Sequence, residues 1–157
     1  MIKEFQGKYR FLSNFYPCKI MMDGVEYPTV EHAYQASKTM SGAHREIIRL
    51  KETPGQAKRY GKIIHIRSDW EDIKGSIMYD LLEQKFGQDN FRRLLLATDD
   101  EQLIEGNNWH DRYWGKCYCD RCNGSGENVL GALIMRVRDE IRRESGYKET
   151  DREHKYQ

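Results

Sequence analysis

Apolar positions recur every three to four residues along most of the chain, and the places where that period starts and stops mark the elements. The period is clearest over Trp70, Ile73, Ile77, Met78, Leu81, Leu82 and Phe86, one face of a helix. Ser68-Asp69-Trp70-Glu71 reads as a capping box at its start, and Gly87 as its stop. A last helix carries Leu130, Leu133, Ile134, Val137 and Ile141 on one face, and a shorter one covers 91–97. Upstream, Thr29 suits the N-cap of a helix running to about Met40. A further helix covers 43–51, and Pro54 after Thr53 fits the first turn of another. The pattern changes only near the N-terminus. There Asp23-Gly24 lies between Lys19-Ile20-Met21-Met22 and Val25-Glu26-Tyr27, which favours the tight primed turn of a hairpin. The fold class expected is mainly α, formally α+β: a helical domain over 1–145 with a short N-terminal β hairpin. Residues 146–157 are charged and lack an apolar period, so this tail is expected to fray.

Two stretches do not fit a packing account. Arg10-Phe11-Leu12-Ser13-Asn14-Phe15-Tyr16 is aromatic and polar at once, without a clean period. The stretch 106–131 is a long loop rich in Trp, Gly, Cys and Asn, and loops of that length in a compact domain usually carry function. Within the Val30–Lys38 helix, Glu31 and Lys38 are seven apart and fall on nearly one line, with Tyr34 and Gln35 beside it. Two turns separate the pair, roughly 10 Å along the axis, too far for a direct ion pair but suited to flanking a ligand. Spacing alone leaves a solvated stripe as the simpler reading. His32 has no second histidine at metal-ligand spacing, and a hydrogen-bonded structural role fits it better.

Composition narrows the classes. The chain has 157 residues with 26 basic and 25 acidic side chains, a balance that disfavours a non-specific nucleic-acid binder. No apolar run approaches the length of a membrane span, and the N-terminus lacks a signal peptide's apolar stretch, so the expected location is the cytoplasm. There is no Walker A sequence, dinucleotide fingerprint or EF-hand loop. Cys117, Cys119 and Cys122 offer three thiolates, to which His110 or Cys18 can add a fourth zinc ligand. Their spacing leaves free thiols as the simpler expectation, with no metal and no cofactor.

Taken in order, several stretches resemble the YbiA-like NADAR family over nearly the whole chain. They are Phe11-Leu12-Ser13-Asn14-Phe15, Tyr27-Pro28-Thr29-Val30-Glu31-His32-Ala33-Tyr34-Gln35-Ala36-Ser37-Lys38, Ala57-Lys58-Arg59-Tyr60-Gly61-Lys62, Asp69-Trp70, Lys85-Phe86, Asp111-Arg112-Tyr113-Trp114-Gly115 and Asn128-Val129-Leu130-Gly131. The resemblance implies an N-glycosidase acting on a ribose C1–nitrogen bond, either in ADP-ribosylated guanine or in ribosylamino-pyrimidine intermediates of riboflavin synthesis. It places Glu31 and Lys38 at the family's reactive helix positions, and Asp111 and Trp114 in its second motif. Two departures stand out: Lys62 replaces an Arg common among relatives, and the cysteine-rich insert after Gly115 is absent from many of them.

Breaking a ribose C–N bond builds positive charge at C1, which a carboxylate stabilises while it activates water. Glu31 is the first candidate and Asp111 the second. Lys38, if neutral, can instead form a Schiff base with the opened sugar. Arg10, Lys58 and Lys62 suit phosphate. Phe11, Phe15, Trp70 and Trp114 suit stacking, with a core role equally open for Trp70. Ser13, Asn14, Tyr34, Gly115 and Asn128 complete the expected substrate contacts through the matching stretches. The expected partner is a small nucleotide or ribosylamine, extending to ADP-ribosylated nucleic acid, met by a monomer. The competing classes are a module that binds ADP-ribose without turnover, and a nucleic-acid domain with a zinc-stapled loop, which the near-neutral charge does not favour.

Overall fold

The computed structural model describes the backbone of residues 1–155 and the side chains of 1–146. Of the tail expected to fray at 146–157, the backbone is helical to Lys155, and the side chains beyond 146 lie outside the described residues. The chain forms two compact units, Gln6–Gln88 and Met1–Phe5 together with residues from Asp89 onward. Helices dominate both, as the apolar period predicts.

In the Gln6–Gln88 unit, a 3-10 helix over Gly7–Leu12 leads to a hairpin of β1 (Ile20–Met22) and β2 (Val25–Tyr27), paired antiparallel with Ile20 opposite Tyr27. Asp23 and Gly24 turn the chain at φ 51° and 77°, the left-handed pair that a primed turn needs. Four helices follow: α1 (Val30–Ser37), α2 (Gly42–Arg49), α3 (Pro54–Gly61) and α4 (Trp70–Gly87). Thr29, Ser41 and Thr53 cap the first three through their side-chain oxygens. Helix α4 differs from expectation. Its N-cap is Asp69, but no side chain caps the backbone there, because the Asp69 carboxylate takes two hydrogen bonds from Arg67, at 2.6 and 3.0 Å. The N-cap thus lies one residue past Ser68, and Glu71, the other member of the expected capping box, pairs with Lys74 at 2.7 Å.

Helix α1 packs against α2, α3, α4 and the hairpin, and all eight of its residues are buried. A helix of composition VEHAYQAS can be covered all round only if its polar groups find partners. They do. His32 Nδ1 meets Thr29 Oγ1 at 2.7 Å and its Nε2 meets the Lys51 carbonyl at 2.9 Å. Ser37 donates to the Tyr34 carbonyl at 2.6 Å. Burial pushes the His32 pKa down, so the ring is neutral and structural, as the sequence suggested.

Lys85, on α4, is fully buried and donates from Nζ to the Ser13 carbonyl at 2.9 Å, which ties α4 to the chain just past the 3-10 helix. Burial lowers its pKa to about 7, with the Cys18 thiol acting in the opposite sense. The unfolded chain, where lysine titrates normally, then binds more protons than the folded one between about pH 7 and 10.5. This group therefore makes stability rise with pH across that window. Lys85→Met is expected to flatten the rise in melting temperature between about pH 7 and 9, measured by circular dichroism against the parent protein. An unchanged slope would assign the dependence elsewhere.

The second unit holds α5 (Asp89–Leu96), a short parallel pair of β3 (Gly106–Asn107) and β4 (Lys116–Cys117), and α6 (Val129–Lys155). Ile2 bridges in parallel to Leu103, and Phe91, Leu95, Leu130, Ile134 and Val137 are buried. Buried Arg138 donates to Thr98 Oγ1 at 2.9 Å. Two-residue strands leave no period to read, and the sequence does not predict this pair. Among the described residues, no helix is long and apolar enough to cross a membrane.

Candidate active site

Glu31 sits in the first turn of α1 and is 7% exposed; Lys38 closes the same helix as its C-cap and is half-buried. The solvated-stripe reading of this line therefore fails. The Glu31 carboxylate accepts from Gln35 Nε2 at 2.8 Å, one turn along. Lys38 Nζ stands 5.7 Å from the Tyr34 ring centroid, and that ring packs on Trp70 with centroids 5.1 Å apart. Trp70 is buried, so its ring packs in the core against Tyr34. Burial pushes the Lys38 pKa below the ordinary lysine value. The Glu31 carboxylate pulls it up, while Lys58, Lys62 and Lys74 add to the lowering. The structure thus gathers a carboxylate, an amine with a depressed pKa, and a set of cations around one helix.

Two further acceptors lie here. Asn14 bonds Glu31 through backbone, the Glu31 N–H donating to its carbonyl at 3.1 Å. The side-chain oxygens of Asn14 and Gln35 are both buried and lack a hydrogen-bond donor. Gln35 was not singled out as a site residue, although its i+4 spacing from Glu31 was a readable signal. Gly61 is the other omission. A Cβ there would stand 1.9 Å from Gln35 Oε1, so only glycine lets α3 approach this amide. Lys74, which joins the cations around Lys38, is ion-paired with Glu71 at 2.7 Å. No motif drew notice to it.

The remaining nominated residues of this unit are more scattered. Ser13 Oγ accepts from the Phe15 N–H at 3.1 Å. Phe11 is buried, Phe15 is 42% exposed, and exposed Arg10 lies with its guanidinium 5.9 Å from the Tyr16 ring centroid. Lys58 is half-buried and Lys62 exposed. A cavity of about 340 Å³ in the same unit is lined by Met21, Arg45, Arg67, Asp80 and Gln84 among others, and none of the nominated residues borders it.

In the second unit, Asp111 Oδ1 accepts from the N–H groups of Tyr113 and Trp114 at 3.2 and 2.9 Å, shaping the loop that carries both rings. Trp114 is half-buried and meets Tyr113 edge-on, with centroids 4.8 Å apart. A Cβ on Gly115 would stand 1.8 Å from Glu105 Oε2, so the glycine is needed for close approach. The Asn128 amide accepts from the Glu105 N–H at 2.9 Å and donates to the Leu103 carbonyl at 2.9 Å, which clamps this turn to the chain more than twenty residues upstream.

The NADAR domain family model matches residues 2–142. An N-glycosidase YbiA of Shigella boydii is 39% identical over 136 residues, covering 85% of this chain and 82% of the relative. A riboflavin biosynthesis protein of Vibrio vulnificus is 36% identical over 140 residues, covering 87% of this chain but 37% of that longer protein. The NMR structure of the E. coli protein YbiA superposes with a TM-score of 0.77 at 34% identity, covering 92% of this chain and 87% of the other.

Proposed function

Because the chain belongs to the NADAR domain family, we propose that it is an N-glycosidase that hydrolyses a ribose C1–nitrogen bond, with Glu31 and Lys38 as its reacting groups. The observation that carries this reading is the Lys38 amine with its depressed pKa, on the same helix as a buried carboxylate. A module that only bound nucleotides would have no use for a buried carboxylate and a half-buried amine together on one helix.

In the proposed reaction the sugar ring opens and places an imine at C1. The neutral Lys38 amine adds to C1, and the aminal expels the nitrogen base as its free amine, with Glu31 relaying the proton. Water then adds to C1 of the resulting Schiff base and displaces the Lys38 amine, so the sugar leaves as its aldehyde. Glu31 also stabilises the positive charge that appears at C1. The donor-less oxygens of Asn14 and Gln35 suit sugar hydroxyls, since a buried acceptor gains most from a donor that the substrate brings. Lys58 and Lys62 suit the substrate's phosphate. A ribosylamino-pyrimidine of riboflavin synthesis and an ADP-ribosylated guanine share the bond to be cut and the phosphate.

The test is incubation of the purified chain with each substrate, followed by mass spectrometry of the products. Release of free base amine and sugar phosphate is expected from at least one of them. Binding without release from either would leave a recognition module.

A further inference from the structure

The loop between β3 and β4, the end of β4 and the turn after it hold four side chains that the proposed reaction does not use. The Sγ atoms of Cys117, Cys119 and Cys122 and a ring nitrogen of His110 all lie within 4.8 Å of one another. His110 Nδ1 stands 3.3 Å from Cys122 Sγ, 3.5 Å from Cys119 Sγ and 4.0 Å from Cys117 Sγ. A tetrahedral zinc takes sulfur at about 2.3 Å and imidazole nitrogen at about 2.0–2.1 Å. Its N···S edges are then about 3.5 Å and its S···S edges about 3.8 Å. The three N···S distances bracket that edge, and all four atoms lie within 4.8 Å of one another, a cluster of the size one zinc draws together.

The backbone is folded to hold them there. Cys122 N–H points at Cys119 Sγ, 3.4 Å away, a bond that favours thiolate. The N–H groups of Asn123 and Gly124 donate to the carbonyls of Cys119 and Cys117 at 2.8 and 2.7 Å, and Cys117 N–H donates to Ser125 at 3.0 Å. Asn123 and Gly124 take left-handed φ of 50° and 78°, so the turn brings Cys119 and Cys122 back beside buried Cys117. His110 also has a left-handed φ, 69°, uncommon for a residue with a Cβ.

We propose that His110, Cys117, Cys119 and Cys122 bind one zinc ion as a structural site. Three thiolates and one imidazole make a donor set that suits zinc, and four protein ligands close its coordination shell, which leaves no position for a substrate. Cys18, the other candidate for the fourth ligand, has its thiol near Gln88 Nε2 at 3.4 Å and is not one of the four. The ion would fasten the segment that enters at His110 and leaves at Cys122. That segment contains Asp111 and Trp114. The inference does not rest on the glycosidase reading.

The test is metal analysis of the full chain, purified under reducing conditions from zinc-supplemented cells. One zinc per chain is expected. Stripping it should lower the melting temperature, and adding zinc back should restore it, with thiol protons released on binding. Cobalt added to the reduced, metal-free chain should give the visible bands of a tetrahedral site and a thiolate charge-transfer band. His110→Ala should weaken zinc binding by more than about 100-fold, since losing a group that merely supports a ligand already costs about 10–100-fold. If that variant fails to fold, the cobalt spectrum of the parent chain decides alone. Zinc well below one per chain with no tetrahedral cobalt spectrum would overturn the proposal. So would a Cys119–Cys122 disulfide in the freshly purified chain, or stoichiometric iron in place of zinc.

Discussion

Glu31→Gln is expected to lower kcat by about 100- to 1,000-fold, the size of effect seen when one group that stabilises transition-state charge is removed. The substitution isolates charge from structure. Glutamine keeps an oxygen at the position that now accepts from Gln35 Nε2 at 2.8 Å, so the pair along α1 survives and the melting temperature should hold. The negative charge is gone, and with it the attraction that raises the Lys38 pKa against the three neighbouring lysines. The pH profile should respond as well. If activity rises as Lys38 loses its proton, that limb should move to lower pH in the variant. Steady-state kinetics across pH, with a thermal melt as control, measures both. Unchanged kcat would place the site on another helix.

Lys38 carries the second large effect. Lys38→Ala should abolish both turnover and any adduct that borohydride reduces onto the protein, read by intact mass. Lys38→Arg is the sharper variant. It keeps the cation beside the Tyr34 ring, where Nζ now stands 5.7 Å from the centroid, but a guanidinium stays protonated and cannot attack carbon. The expected result is loss of turnover by about 100-fold or more with substrate binding retained. An arginine variant that turns over normally would end the Schiff-base route and leave Glu31 with water as sufficient.

Much of this was readable from the chain. The Asp23-Gly24 hairpin and the capped starts of α1, α2 and α3 follow from local chemistry, in which the deciding atoms are a few residues apart. The pairing of Glu31 with Lys38 on one stripe was equally a local property. What could not be read depends on partners far along the chain. Periodicity assigns α1 one buried face, yet the helix is covered all round, because His32 reaches the Lys51 carbonyl and Gly61 admits Gln35. The capping box at Ser68 does not form: the N-cap is Asp69, whose carboxylate is held by Arg67, a pairing that propensity does not weigh. The amide of Asn128 is spent on Leu103 and Glu105, which lie more than twenty residues upstream. For the thiols, spacing left the fourth member open between His110 and Cys18, and the fold brings His110, not Cys18, within 4.8 Å of all three.

The placement of α1 has a consequence for how the protein tolerates change. The helix bearing the proposed reacting groups is also the element that α2, α3, α4 and the hairpin all pack upon. Its amide hydrogens should therefore exchange with solvent only when the whole Gln6–Gln88 unit opens, not through local fluctuation. Evolution cannot loosen this corner to accept a new substrate without loosening everything around it. Changes of specificity should instead gather at the rim, at positions such as Lys62 and Phe15, while Glu31 and Lys38 keep a geometry that the unit's own folding sets.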